Sequence, residues 1–273
     1  MKKMFFVLAV VAPMLLMGLD VKGFFSKLIN TDELFVYGLA DQPFDQGVYG
    51  IGEISPHVRV TVINGIMNDV ESCMKTLDTL SAAHGGVNVH YVYWNSEGWT
   101  ADIYKGFYSK IFGYLSVPAR ELANLWRRLI EEMGGVEGPG VIYHYAHSIG
   151  ANETLLAAKL LTPEEKAKLH IVTLGPATII SPVGYASAIN YISRRDAVSF
   201  LDPWNFYLAH QGSLPHAVVV GKFESIHPIL EHHLLTGNYL RLLLEHGRQF
   251  IERYRSSGDA LGGLVAESVE FED

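Results

Sequence analysis

The stretch VIYHYAHSIGANETLLAAKLL, residues Val141–Leu161, decides how this chain is read. Its opening, Val141–Ala146, is rich in β-branched and aromatic side chains and reads as a strand. From about Ile149 to Leu161 leucine and alanine dominate, and the segment reads as a helix. Between them stands Ala146-His147-Ser148-Ile149-Gly150, a small-x-Ser-x-small pattern. A serine held on a sharp strand-to-helix turn needs small residues on both sides, because strand and helix must approach closely. Ser148 Oγ would then project above the strand end, where the helix N-terminus stabilises developing negative charge. The competing reading is a serine N-cap on an ordinary helix.

Outward from this stretch, apolar strand runs alternate with longer helical patterns, the signature of a parallel α/β sheet. Glu33–Leu39 and Gln46–Glu53 read as early strands, and Val58–Ile63 as a β-branched strand ended by Asn64-Gly65. A helix is expected from about Asp69 to His84, stopped by Gly85-Gly86. Val87–Trp94 is the next strand, and Ala119–Met133 carries the clearest helical periodicity. His170–Gly175, Ala186–Ser193 and His216–Gly221 read as further strands, followed by a long helix and an acidic tail. No repeat, low-complexity tract or linker divides the body, so residues 30–260 are expected to form one domain, followed by a tail over 261–273. The aromatics between Trp94 and Leu115 suit the packed face of a crossover helix, or a lid over an apolar substrate.

Composition narrows the chemistry. Of 273 residues, 49% are apolar and 18% charged, enough to bury a sizeable core. A formal charge of -8 argues against nucleic acid, whose phosphates need a basic face. The single cysteine, Cys73, rules out an intrachain disulfide framework and reads as a buried thiol on an apolar helix. No Walker or dinucleotide-binding glycine loop is present, so no nucleotide cofactor is expected. His144 and His147 flank a strand end without a Cys pair or an HExxH companion, and no metal is expected.

At the N-terminus, Lys2 and Lys3 precede an uninterrupted apolar run from Met4 to Leu19. A basic flank followed by such a run is the layout of a signal peptide or membrane anchor over residues 1–19. The run is slightly short for a spanning helix, and an apolar segment packed on the domain is the alternative. Export or membrane association through residues 4–19 is the expectation.

The elbow-like turn resembles that of the lipase and esterase branch of the α/β-hydrolases, with Ala146 in place of the usual glycine. Over about residues 55–250 the chain is also similar to lipase-like proteins of chlamydia-related bacteria. The resemblance implies an α/β-hydrolase fold, a mostly parallel central sheet with helices on both faces. It also implies a triad in the order Ser, acid, His. Asp196, after the strand ASAINYIS, fits the acid, with Asp202 as competitor; Arg194 and Arg195 offer Asp196 the alternative of a surface ion pair. The loop after the last strand offers His227, His232 and His233; the stretch EHHLLTGNY selects His232, with the other two kept as alternatives. The oxyanion donors would be the backbone N–H groups of Ile149 and, after Asn64-Gly65, of Ile66. Gly65 and His147 would line the substrate site.

The expected activity is therefore hydrolysis of a carboxylic ester or lipid acyl bond by Ser148, Asp196 and His232, without a cofactor. The second reading is a catalytically inactive, membrane-associated interaction protein of the same fold.

Overall fold

The computed structural model describes residues 44–52, 55–65, 70–94, 115–194, 196, 198–221 and 239–256. The apolar run Met4–Leu19, the early strand at Glu33–Leu39, most of the Trp94–Leu115 crossover and the 261–273 tail lie outside these residues.

The described chain runs β1 (Phe44–Tyr49), β2 (Val58–Ile63), α1 (Val70–Ala83), β3 (Val89–Trp94), α2 (Val117–Glu132), β4 (Val141–His147), α3 (Gly150–Ala158), α4 (Pro163–Lys166), β5 (Leu169–Leu174) and β6 (Ser187–Ser193). A 3₁₀ turn (Val198–Leu201), α5 (Pro203–His210), β7 (Ala217–Val220) and α6 (Leu240–Ser256) complete it. The seven strands form one sheet in the order β1-β3-β2-β4-β5-β6-β7. Every neighbour pair is parallel except β1 with β3, so among the described strands an antiparallel one lies at the edge.

Side-chain alternation divides the core into two layers, because successive residues of a strand face opposite sides. Val60, Val62, Val89, Tyr145 and Val172 face α1 and α6, meeting Leu77, Leu80, Leu243 and Phe250. Ile63, Val92, Ile142, Ala146 and Ile171 face α2 and α3, meeting Leu122, Trp126, Leu129 and Leu156. In α1 the buried Cys73, Leu77 and Leu80 recur at the spacing of one helix face. That helix stops as the sequence implies. Gly85 and Gly86 take φ of 80° and 85°, and Gly86 N–H reaches back to Ser81 C=O at 2.8 Å.

Helix α2 begins on Ser116, whose hydroxyl accepts from Ala119 N–H at 3.1 Å, with proline in the first turn. Its buried Trp126 donates through Nε1 to Thr61 Oγ1 at 3.3 Å and lies edge-on to His144, ring centroids 4.9 Å apart. The chain moves from β2 outward to β3, then returns past β2 to β4 on its other side. The C-terminal ends of β2 and β4 therefore border a topological switch point, where loops diverge and leave a crevice. Gly65 follows β2 and Ser148 follows β4.

Candidate functional site

Ser148 is the only residue other than glycine with positive φ, at 60°, among the described residues. An L-residue there costs about 1 kcal/mol or more and persists only where the surroundings fix it. Three backbone bonds do so. Ser148 N–H donates to Leu174 C=O at 3.1 Å, while its own C=O accepts from Ala151 N–H at 3.2 Å and Ala177 N–H at 3.0 Å. The helix N-cap is Ile149 rather than Ser148, and the Ser148 side chain caps nothing: its buried Oγ has no hydrogen-bond partner among the described residues. The conformation is that of an elbow, unlike the extended backbone of an N-cap serine.

The small neighbours of Ser148 are explained by contact. A Cβ on Gly150 would lie 2.8 Å from Asn64 O and 2.9 Å from Ile63 O. Ala146 is buried and pairs in register with Ile63. Gly65 touches the elbow from the other side, since a Cβ there would fall 2.4 Å from Ser148 Cβ and 3.1 Å from His147 Nδ1. The loop after β2 thus abuts the β4 turn with no room for a methyl group.

Asn64 secures that loop. Its amide exchanges two hydrogen bonds with Trp94, Nδ2–H to Trp94 C=O and Trp94 N–H to Oδ1, both at 3.1 Å. Nδ2 also reaches Gly65 C=O at 2.9 Å. Asn64-Gly65, expected to end the strand and lead into the oxyanion loop, ends β2, and the asparagine in addition ties β2 to the end of β3. Of the two expected oxyanion donors, Ile149 N–H points from the first turn of α3 and meets no acceptor among the described residues. Ile66 lies outside them.

Asp196 is wholly buried. Its Oδ1 accepts from Val198 N–H at 2.9 Å, and its Oδ2 accepts from the hydroxyl of Tyr239 at 2.6 Å. The competitor Asp202 is occupied otherwise, with Oδ2 accepting from Ile179 N–H at 3.1 Å and from Asn205 Nδ2 at 3.0 Å. Those bonds tie α5 to the loop after β5. His227, His232 and His233 all lie outside the described residues. His147 is half-buried, with its ring edge-on to Tyr239 at 6.4 Å between centroids.

Two buried polar groups pack near the elbow, of which Glu153 has no signal in the sequence. Glu153, in the first turn of α3, is 5% exposed, and Ser116 Oγ donates to its Oε2. Burial pushes its carboxyl up to about 7, opposed by hydrogen bonds from Ser116 and Asn152. His144 sits between two threonines. Thr154 Oγ1 donates to Gly150 C=O, so it accepts from His144 Nε2–H at 2.9 Å. With Nε2 carrying the proton of the neutral ring, Nδ1 accepts from Thr61 Oγ1–H at 2.9 Å. Burial lowers that imidazole to about 3. Both ring nitrogens are engaged, and His144 acts as a neutral strut from β2 through β4 to the elbow helix. Among the described residues no group of three His, Cys, Asp or Glu side chains is placed to hold a metal ion.

An apolar cleft beside the elbow is lined by Val62, Asn64, Cys73, Leu77, Tyr145 and His147. Burial, reinforced by Asp45, pushes the Cys73 thiol up to about 11, which leaves it protonated and unreactive at neutral pH.

A parallel sheet in this strand order, with one antiparallel edge strand and a positive-φ serine between a central strand and its helix, defines the α/β-hydrolase fold. Neither a protein-family model nor a curated protein sequence matches the chain. Among solved structures it is similar to a Trichoderma reesei cutinase in complex with a phosphonate inhibitor, at 14% identity and a TM-score of 0.38, covering 92% of this chain and 91% of that one. A poly(3-hydroxybutyrate) depolymerase from Bordetella parapertussis aligns at 13% identity and a TM-score of 0.44, covering 79% and 86%. A dienelactone hydrolase from Anabaena variabilis aligns at 11% identity and a TM-score of 0.43, covering 79% and 94%. These likenesses are of general layout; strand order and elbow carry the fold.

Proposed function

We propose that this chain is a serine hydrolase of carboxylic esters, with Ser148 as nucleophile. One observation carries the reading. A serine is forced into a positive-φ elbow at the C-terminal end of β4, its buried Oγ bound by no described residue. Structural serines rarely accept both costs; a nucleophile needs its oxygen uncommitted.

On this reading Ser148 Oγ attacks the ester carbonyl carbon while its proton passes to an imidazole from the loop after β7. His232 is the first choice, and His227 and His233 are the alternatives. Asp196 orients that ring and stabilises the imidazolium. The tetrahedral oxyanion is held by Ile149 N–H and, from the loop after Gly65, by Ile66 N–H. Collapse expels the alcohol, which takes the imidazolium proton and leaves an acyl-Ser148 ester. Water, deprotonated by the same imidazole, releases the acid and restores the hydroxyl. Gly65 and His147 border the reacting carbonyl. The low share of charged residues around the elbow favours an uncharged acyl group, hence a small-molecule or lipid ester. Residues 4–19 would deliver the domain to a membrane or across it.

The test is covalent labelling by a fluorophosphonate at neutral pH. Folded wild-type protein should label and hydrolyse short p-nitrophenyl esters, whereas Ser148→Ala should do neither while keeping its melting temperature. Folded wild type that fails to label refutes the proposal and leaves the non-catalytic reading.

A further inference from the structure

Tyr239 immediately precedes α6, and its side chain is fully buried although it ends in a hydroxyl. A buried phenol needs partners, and here it has two. It accepts from Ser193 N–H at 2.8 Å and donates to Asp196 Oδ2 at 2.6 Å. The second is a short, charge-assisted bond between groups 43 residues apart in sequence. Val198 N–H holds the other carboxylate oxygen. The carboxylate thus takes one donor from the 3₁₀ turn and one from the start of α6.

The two atoms cannot exchange roles. Burial, and the negative charge of Asp196 beside it, hold the Tyr239 phenol well above its usual range, so it remains a donor at every working pH. The same ring lies edge-on to His147, next to Ser148 in the chain. Tyr239 therefore touches the acid, the strand end of β6 and the surroundings of the nucleophile at once. Among the described residues, Arg194, exposed and two residues before the acid, and His147, against the Tyr239 ring, are titratable or charged groups close to this pair.

We infer that Tyr239 is a positioning residue that fixes the Asp196 carboxylate and draws charge from it, and so sets the basicity of the imidazole that Asp196 serves. The inference rests on the hydrolase reading above. A carboxylate sharing its charge with a phenol stabilises an imidazolium less than one that does not. Removing the hydroxyl should raise the imidazole's pKa while loosening the carboxylate's orientation.

The experiment is the pH profile of kcat/KM for a p-nitrophenyl ester, measured on the full chain. Tyr239→Phe should move the acidic limb upward by half a pH unit or more and lower kcat at least tenfold, with KM changed less than threefold. Placing 3,5-difluorotyrosine at 239 keeps the side chain's size and makes the phenol a stronger donor, so the limb should move downward. That second variant carries the test if Tyr239→Phe does not fold. A lowered melting temperature with an unmoved limb in the folded variants means a purely structural role and overturns the inference. Wild type with no esterase activity and no fluorophosphonate labelling removes the hydrolase reading, and this inference with it; an active wild type with unmoved variants removes this inference alone.

Discussion

Replacing Glu153 by glutamine should make the protein more stable, and only above a definable pH. The carboxyl is buried in the first turn of α3, and its folded pKa is about 7 against an ordinary 4.5. The folded state thus binds the proton more tightly than the unfolded state does. Stability from this group is complete below pH 4.5, declines as pH rises to about 7, and is flat beyond. A displacement of about 2.5 units at about 1.36 kcal/mol each gives about 3 kcal/mol of destabilisation at pH 8. Glutamine has nearly the same shape, and its carbonyl can accept the bond from Ser116. Urea unfolding of both proteins at half-unit steps from pH 4 to 8 should show a difference near zero at pH 4. It should grow to about 3 kcal/mol in favour of glutamine by pH 8. The difference between the two proteins cancels every other titration. A difference that stays flat with pH, or favours glutamate at pH 8, would refute the idea that a desolvated carboxylate lies beneath the elbow helix.

Gly65→Ala should displace the elbow, cripple the site and lower the melting temperature. The new methyl would stand 2.4 Å from Ser148 Cβ, where ordinary contact begins at 3.4 Å. A displacement of about 1 Å at a nucleophile costs about 10²-fold in rate, so kcat/KM and the labelling rate should fall together by about that factor; retention within threefold contradicts the packing described. His84 and His144 should not titrate in the physiological range. Burial lowers them to about 4 and about 3, and their NMR ring-proton shifts should stay constant from pH 7.5 to 5. A midpoint near 6.5 for either would show that its ring is not held neutral by its partners, Leu80 C=O and the Tyr145 hydroxyl for His84 and Thr61 and Thr154 for His144.

Much of the layout was readable because it depends on local chemistry. Val58–Ile63 and Val141–His147 are rich in β-branched or aromatic residues, and the Gly85-Gly86 stop and the small residues around Ser148 mark turns that favour such residues. The helix expected to reach Leu161 ends at Ala158, and the strand expected at Gln46–Glu53 lies at Phe44–Tyr49. Ends of elements depend on partners, and β1 takes its register from β3. Its antiparallel direction is a tertiary fact with no local signature. Less of the site was readable. Glu153 occupies a first-turn position where an acid ordinarily faces water and benefits from the helix dipole; its burial comes from α2 packing across α3. His144 beside a strand end gives no sign in the sequence of the two threonines, Thr61 and Thr154, that engage both its nitrogens. The bond from Tyr239 to Asp196 joins segments that only the folded sheet brings together.

The contorted backbone at Ser148 has a consequence for how this protein can change. Its φ of 60° is one that glycine adopts without penalty. The molecule would be steadier with glycine in place of Ser148, and random mutation screened for robustness alone would drift toward that loss. If the hydroxyl has been kept against that gradient, what keeps it is use. On the hydrolase proposal, turnover is what offsets the conformational cost of the elbow.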